Sequence, residues 1–382
     1  MSPVSIQAPL QVTVVLSTLV AISRLHGVVL FLLKLISQSG VMKRNRWLTG
    51  LLLPLVVLLT SCFKEDERVI PSRPGDVITQ VIEMQPDYSI QSYFNLNSGK
   101  VVGTGFRNTW DIGISCKEND YTLILNTSRF MKVAHTGSDF FEAVYTTEGF
   151  EWRFDESTAD PAGNAIGKWW ETTVNGPVGL NEVLLVDLGI DADGLPAGYL
   201  KIQPLINTLT KVVSIKIAGL DNTGERTFAF SKDSAYRYVT MSFDDGQNAS
   251  PHEPVKTAWD LQFTQYTTLL FTDDGEPYPY LVTGVLINDS LVSAVMDSIT
   301  PFESIDRNFA EGLLLSNKRD VIGYDWKQVV GDVSSGNVTY IARPEMGYII
   351  KSADGYFFKL RFIDFYNNLG KKGYPTFEYQ KL

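Results

Sequence analysis

Apolar and polar residues alternate along most of the chain after residue 77. In the stretch 110–116, Trp110, Ile112, Ile114 and Cys116 share one face, and the stretches 213–217, 259–264 and 358–362 repeat the pattern. A period of two is that of a β-strand with one buried face, and it is typical of antiparallel sheets. The predicted fold is therefore mainly β, with antiparallel sheets in a sandwich-like arrangement. Cys116 is predicted to be a buried, unreactive thiol.

One segment departs from this alternation. Between Leu286 and Leu315, the residues Leu291, Val295 and Ile299 have helical spacing, which Pro301 interrupts. We therefore predict one helix in this segment.

The β-rich part of the chain also contains echoes at an offset of 149 residues. Five identities recur at this offset: Phe94/Phe243, Trp110/Trp259, Asp111/Asp260, Tyr199/Tyr348 and Phe228/Phe377. Both Trp-Asp pairs lie in alternating stretches. We predict two diverged β repeats, 87–233 and 234–382. The alternative is one larger domain with accidental echoes.

The start of the chain has the organisation of a lipoprotein signal peptide. Basic residues within 43–46 precede an apolar run, Trp47–Leu59, which is shorter than the ~20 residues of a membrane span and suits a signal peptide. The small residue before Cys62 resembles the lipobox of bacterial lipoproteins, in which that cysteine is lipidated after cleavage. We predict removal of residues 1–61, lipidation of Cys62 and a linker over 62–86. The alternative for Cys62 is a buried cysteine in an apolar segment.

Two neighbouring segments extend this interpretation. Lys64–Glu67 resembles the surface-export signal of lipoproteins in gut and oral Gram-negative anaerobes, and its alternative is a solvated linker. Because a complete signal peptide begins at Met42, we predict that translation starts there and that residues 1–41 are not part of the protein. A membrane helix around Leu10–Leu35 is the alternative.

Charge excludes one class of partner. The first 61 residues hold five basic and no acidic residues, so the remainder carries a net charge of −15 against −10 for the whole chain. Such an acidic body has no counter-charge for a phosphate backbone, and we predict that it does not bind nucleic acid.

Segments near both ends of the β-rich part resemble the HmuY family. They are Tyr93–Val102, Asn108–Ile112, Ala353–Gly355, Lys359–Tyr366, Lys371–Gly373 and Thr376–Tyr379. The resemblance implies an all-β lipoprotein anchored in the outer membrane and facing the cell exterior. It implies haem capture for iron acquisition, with an outer-membrane receptor or transporter, or a host haem protein, as a partner.

The same resemblance implies that haem iron is held between two axial His or Met side chains. The family's second ligand follows a Trp that matches Trp326, but Lys327–Gly331 contains no usual axial donor. The first position falls near Ile299. The candidate iron ligands of this chain are Met296, Met346 and His135. The alternatives are core packing for the methionines and a solvent-exposed loop imidazole for the histidine.

Aromatic side chains offer a second way to bind a ligand. The candidates for lining a groove are Trp169, Trp170, Phe271, Tyr278, Tyr280, Tyr324 and Trp326. Such a groove suits a flat ring system or a sugar face, whereas core packing is the alternative for any one ring. Because adjacent strand residues point to opposite faces, we expect at least one of Trp169 and Trp170 to be less buried. The alternative function is binding of a glycan or partner protein on the same scaffold.

Catalysis has little support in the sequence, and an enzyme acting on extracellular polymer is the third and least favoured hypothesis. It contains no nucleophile elbow, zinc-binding helix, phosphate loop or dinucleotide fingerprint. We therefore predict a binding protein rather than an enzyme. The ligand and the oligomeric state remain open.

Overall fold

The computed structural model describes residues 74–244, 252–272, 274–332 and 337–382. The predicted signal peptide, the lipidated Cys62 and the first part of the predicted linker lie outside these residues. Within the described ranges, no helix has the length and apolar character needed to cross a membrane.

Strands dominate the described residues, and this confirms the predicted mainly β class. They are β1 (Ile78–Val81), β2 (Ile90–Asn95), β3 (Lys100–Phe106), β4 (Ile112–Ser115), β5 (Leu123–Leu125), β6 (Lys132–His135), β7 (Trp152–Arg153), β8 (Trp170–Thr173), β9 (Gly176–Gly179), β10 (Leu184–Asp187), β11 (Tyr199–Ile206), β12 (Val213–Ala218), β13 (Arg226–Ala229), β14 (Tyr238–Met241), β15 (Leu261–Phe271), β16 (Pro277–Ile287), β17 (Ser293–Asp297), β18 (Lys327–Asp332), β19 (Asn337–Ala342), β20 (Gly347–Lys351), β21 (Phe357–Tyr366) and β22 (Lys372–Lys381). Within the described ranges, helical structure is confined to α1 (Arg307–Glu311) and the 3-10 turns Thr127–Arg129, Pro161–Gly163 and Phe302–Ser304.

The larger sheets are antiparallel, as the alternation predicts. Their strand orders are β1-β22-β21-β20-β17, β13-β12-β11-β10-β6-β7, β16-β15-β2-β3 and β14-β4-β5. Two separate hairpins, β8-β9 and β18-β19, complete the described strands. Cys116 follows β4 and is buried, as predicted.

The helix predicted between Leu286 and Leu315 is wrong in the residues that were expected to form it, Leu291, Val295 and Ile299. Residues 293–297 form β17, which pairs with β20. The side chains buried there are Val292 and Ala294, two positions apart, so the local period is that of a strand. The one α-helix of the segment is α1, which begins after Asp306, whose carboxylate accepts a hydrogen bond from Phe309 N at 2.8 Å.

Buried side chains form two large clusters in the described part of the chain. One cluster is drawn from residues 112–243, and the other from residues 82–96 and 261–379. Strand pairing crosses the predicted repeat boundary at 233/234, because β2 pairs with β15 and β4 pairs with β14. Each predicted repeat therefore contributes a strand to a sheet of the other.

The first Trp-Asp pair fastens one of these crossings. Asp111 N donates a hydrogen bond to Met241 O at 2.8 Å, and the Asp111 carboxylate accepts one from Phe243 N at 2.7 Å. The same carboxylate pairs with the buried Arg129. Asp111 thus holds the end of β14, which belongs to the other predicted repeat.

The second Trp-Asp pair makes the corresponding bonds from the second predicted repeat to the first. Asp260 N donates to Phe94 O at 2.9 Å, and Asp260 Oδ2 accepts from Leu96 N at 2.8 Å. Asp260 Oδ1 accepts from Ala353 N at 2.8 Å. Each aspartate therefore bonds to a partner strand at positions two residues apart. Duplication itself stays a prediction.

Candidate functional site

The predicted iron ligand His135 is engaged by neighbouring groups. It ends β6, where its Nδ1 lies 2.9 Å from Glu182 Oε2 and its Nε2 lies 3.1 Å from Ala165 O. Both ring nitrogens therefore have protein partners. Iron ligation by His135 requires one of these contacts to break.

The two methionine candidates lie in different surroundings. Met296 is on β17 with 42% of its surface exposed, whereas Met346 is 5% exposed and belongs to a hydrophobic core. Ile299, near which the family's first ligand position falls, is 91% exposed. It lines a cleft of about 380 Å³ with Glu345 and Arg361, and none of the described lining residues is His, Met or Cys.

The adjacent tryptophans Trp169 and Trp170 are both in contact with Tyr121. Trp169 is buried, and its Nε1 donates to Tyr121 O at 2.8 Å. The half-buried Trp170 ring packs edge-on against the Tyr121 ring at 5.0 Å. Trp170 is thus the less buried of the two, and the Trp169 ring is part of a core.

Trp326 also packs inside the protein. It is fully buried, and its ring stacks on Phe362 with a centroid distance of 4.0 Å. It lies immediately before β18. Because the indole is buried, neither of its faces is open to a ligand.

The structure brings three of the predicted aromatic residues together in one cavity. Tyr278 and Tyr280 lie on β16, the edge strand of its sheet, and Tyr324 precedes β18. Their cavity has a volume of about 460 Å³ and lies between this edge and the hairpin β18-β19. That volume is within the ~300–1,000 Å³ typical of small-molecule sites.

The cavity lining combines aromatic rings, aliphatic side chains and two lysines. The lining residues are Tyr88, Gln265, Leu270, Tyr278, Tyr280, Leu281, Val282, Thr283, Tyr324, Lys327, Val329, Val338, Tyr340 and Lys372. None of these described residues is acidic. Flat apolar surfaces with a few cations suit a ring system that carries anionic substituents.

Lys327 is the buried cation of this cavity. It is 8% exposed, and its Nζ donates to the carbonyl oxygen of Thr283 on the edge strand. Burial lowers the pKa of Lys327 to about 7, and the nearby Asp325 carboxylate opposes this shift. A sequence cannot show this burial, because it depends on the packing of β18 against β16.

Lys372 and Tyr88 complete the opposite side of the cavity. Lys372 Nζ lies 5.3 Å from the centroid of the Tyr88 ring and 6.0 Å from that of Tyr340. Tyr88 has a positive φ of 58°, a backbone conformation that bulky residues rarely adopt. Sequence reasoning missed Tyr88, Tyr340 and both lysines as lining residues, since their position in one cavity depends on the pairing of distant strands.

A family model matches most of this chain. The family model described as HmuY protein matches residues 87–379. The search of curated proteins gives no match.

Three solved structures are similar to this chain. Apo PinO from Porphyromonas gingivitis is 12% identical, covers 80% of this chain and 97% of its own, and has a TM-score of 0.25. The apo HmuY analog of Tannerella forsythia is 10% identical, with coverages of 81% and 98% and a TM-score of 0.18. A proposed HmuY-like haem-binding protein of Bacteroides vulgatus is 17% identical, with coverages of 44% and 90% and a TM-score of 0.16. At these TM-scores the likenesses carry no information on where a ligand lies.

Proposed function

Because the chain belongs to the HmuY family, we propose that it is a binding protein that captures a tetrapyrrole, haem in the first place, without chemistry. The ligand occupies the cavity between β16 and the hairpin β18-β19, and capture serves haem and iron acquisition. Release goes to an outer-membrane receptor or transporter, and host haem proteins are the source.

The proposed location is the outer membrane, facing the cell exterior. The basic segment, the apolar run and Cys62 occur in the order of a lipoprotein signal. Lipid on Cys62 then anchors the acidic β-rich body to the membrane, where it meets ligands from outside the cell.

The composition of the cavity lining carries this proposal. A tetrapyrrole is a large flat ring with carboxylates on one edge. The rings of Tyr278, Tyr280 and Tyr340 supply apolar faces, and the ammonium groups of Lys327 and Lys372 supply the opposite charge. Four other cavities of the described residues are each lined by at least one acidic side chain.

The family's axial iron ligation does not fit this chain. The first ligand position falls near Ile299, where only Met296 is close, and the side chains that follow Trp326 include no His, Met or Cys up to Gly331. In the described residues, no group of three or more His, Cys, Asp and Glu is placed to hold a metal ion. The proposal therefore includes no step that depends on an iron ligand of the family's kind.

Haemin titration of the full chain tests the proposed function. In detergent, with a detergent-only blank, we expect a saturable change in the haemin absorption band. Tyr280→Ala removes one ring contact and is expected to weaken binding about tenfold, since ring contacts of this kind contribute ~1 kcal/mol beyond the buried area.

Tyr199→Ala is the matched control, because Tyr199 and Tyr280 are both 45% exposed and Tyr199 does not line the cavity. We expect it to bind haemin as the unmodified chain does. Equal affinities of the Tyr280→Ala and Tyr199→Ala variants would place the ligand elsewhere.

A glycan or a partner protein is the second candidate ligand. Phe271 at the end of β15 is 65% exposed and lies on the same hairpin as Tyr278, which is an arrangement suited to a sugar face or an apolar protein surface. Retention on polysaccharide affinity gels that is lost in Phe271→Ala, together with no haemin binding, would favour this candidate.

A further inference from the structure

We propose that the cavity recognises the carboxylates and ring faces of its ligand rather than a metal, so that a metal-free dicarboxylate tetrapyrrole binds as tightly as haemin. This inference rests on the proposed function and adds the chemical basis of its selectivity.

Two cations flank a single aromatic ring of the cavity. Lys327 Nζ lies 5.9 Å from the Tyr340 ring centroid, and Lys372 Nζ lies 6.0 Å from it. Neither ammonium group forms an ion pair with a carboxylate of the described residues. A ligand with two carboxylates on one edge therefore finds two lysines that form no direct ion pair within the described residues.

Lys327 is held at the site by apolar and aromatic surroundings. Its Nζ lies 4.5 Å from the Trp326 ring centroid and 5.2 Å from that of Phe365. An ammonium group buried in this way is costly unless it is paired. A ligand carboxylate would supply the missing partner in a region of low dielectric, where the interaction is stronger than in water.

A buried hydroxyl in the lining provides independent evidence for a polar ligand. Tyr88 is 8% exposed, and its Oη has no hydrogen-bond partner among the described residues. The hydroxyl of Tyr340 is near enough to contribute to the raised pKa of Tyr88, after burial, but no hydrogen bond of normal geometry joins the two. Buried polar groups are rarely left unpaired, so the Tyr88 hydroxyl is suited to a polar group of the ligand.

The same lining gives little support to iron ligation. None of the described lining residues is His, Met or Cys. Tyrosine ligates haem iron as phenolate, but burial raises the pKa of Tyr88, Tyr324 and Tyr340. These raised pKa values disfavour the phenolate form of the three side chains in the cavity without a ligand.

Three tetrapyrroles separate recognition of the metal from recognition of the carboxylates. The full chain in detergent is titrated with haemin, with metal-free protoporphyrin and with the dimethyl ester of that protoporphyrin. We expect the first two to bind with dissociation constants within about threefold of each other. The ester is expected to bind at least tenfold more weakly, because hydrogen bonds to charged groups contribute ~1.5–3 kcal/mol each.

The lysine variants test the same point from the protein side. Lys327→Met and Lys372→Met are each expected to weaken binding of the diacid about tenfold and to leave the ester unaffected. Met296→Leu is the control for iron ligation, and it should change neither affinity. Circular dichroism checks that each variant is folded, and the ester comparison uses the unmodified chain and does not depend on any variant.

Distinct results overturn the two proposals. Tight binding of haemin with an axial-ligand spectrum and no binding of metal-free protoporphyrin would overturn the carboxylate inference while supporting the proposed function. Binding of the ester as tight as that of the diacid would also overturn the inference. Failure of all three tetrapyrroles to bind would overturn the proposed function itself.

Discussion

Replacement of Asp260 by alanine is expected to lower the free energy of unfolding by about 3 kcal/mol, since each buried N–H left unpaired costs ~1–3 kcal/mol. Asp260 is fully buried, and its two carboxylate oxygens accept hydrogen bonds from Leu96 N and Ala353 N. Alanine leaves both N–H groups without an acceptor. Part of the loss is offset, because the desolvation that raises the pKa of Asp260 disappears with the carboxylate.

Urea denaturation followed by circular dichroism measures this change. Asp193→Ala is the control, since Asp193 lies exposed in the loop between β10 and β11, and surface substitutions of this kind change stability by less than ~0.5 kcal/mol. Asp260→Asn keeps one acceptor oxygen and should lie between the two. A loss below ~1 kcal/mol in Asp260→Ala would show that Asp260 does not fasten β2 to β15.

Binding of a dicarboxylate tetrapyrrole is expected to weaken up to about 30-fold between pH 6 and pH 8.5. This factor is the decrease in the protonated fraction of a group with a pKa near 7 over that range. Burial lowers the pKa of Lys327 to about 7, and Asp325 opposes the shift. Below pH 7 the Lys327 side chain is therefore mainly an ammonium group, and above pH 7 it is mainly a neutral amine. Lys372 faces the same ring and keeps part of the affinity at high pH.

Fluorescence titration with metal-free protoporphyrin at three pH values measures this dependence. In Lys327→Met the dependence should be largely lost, because the variant has no group that titrates at this point of the cavity. Affinity that stays constant or rises with pH in the unmodified chain would contradict a role for the Lys327 ammonium group.

The fold class could be predicted because burial of one sheet face leaves a local signature. The alternation at Trp110–Cys116 correctly predicted a strand and a buried thiol, since a strand shows its buried face at every second residue. The same signature was missed at Ser293–Asp297. There Leu291 and Val295 suggested a helix, but pairing with the distant β20 decides the structure.

The candidate site could be predicted only in part. Tyr278, Tyr280 and Tyr324 were predicted from their aromatic character, and they line one cavity. Trp169 and Trp326 were predicted on the same grounds, but both rings are buried in cores. The sequence shows which residues are aromatic. It does not show which side of the sheet each ring faces, because that depends on the pairing of strands from distant segments.

The lysines of the cavity could not be predicted either, because their burial also depends on contacts between distant segments. Lys327 follows a tryptophan in a strand, where a charged side chain is ordinarily exposed. Its burial arises from the contact with Thr283, which is 44 residues away in the sequence. The position near Ile299 was predicted from the family to hold a ligand, and the side chain there is apolar and exposed.

A crystal structure of the chain with haemin bound is the most direct test of the proposed site. We expect the ring between the edge of β16 and the hairpin β18-β19, with a ligand carboxylate about 3 Å from Lys327 Nζ, the usual length of a charge-assisted hydrogen bond. Haemin bound beside Ile299, or iron ligated by Met296, Met346 or His135, would contradict the proposed site.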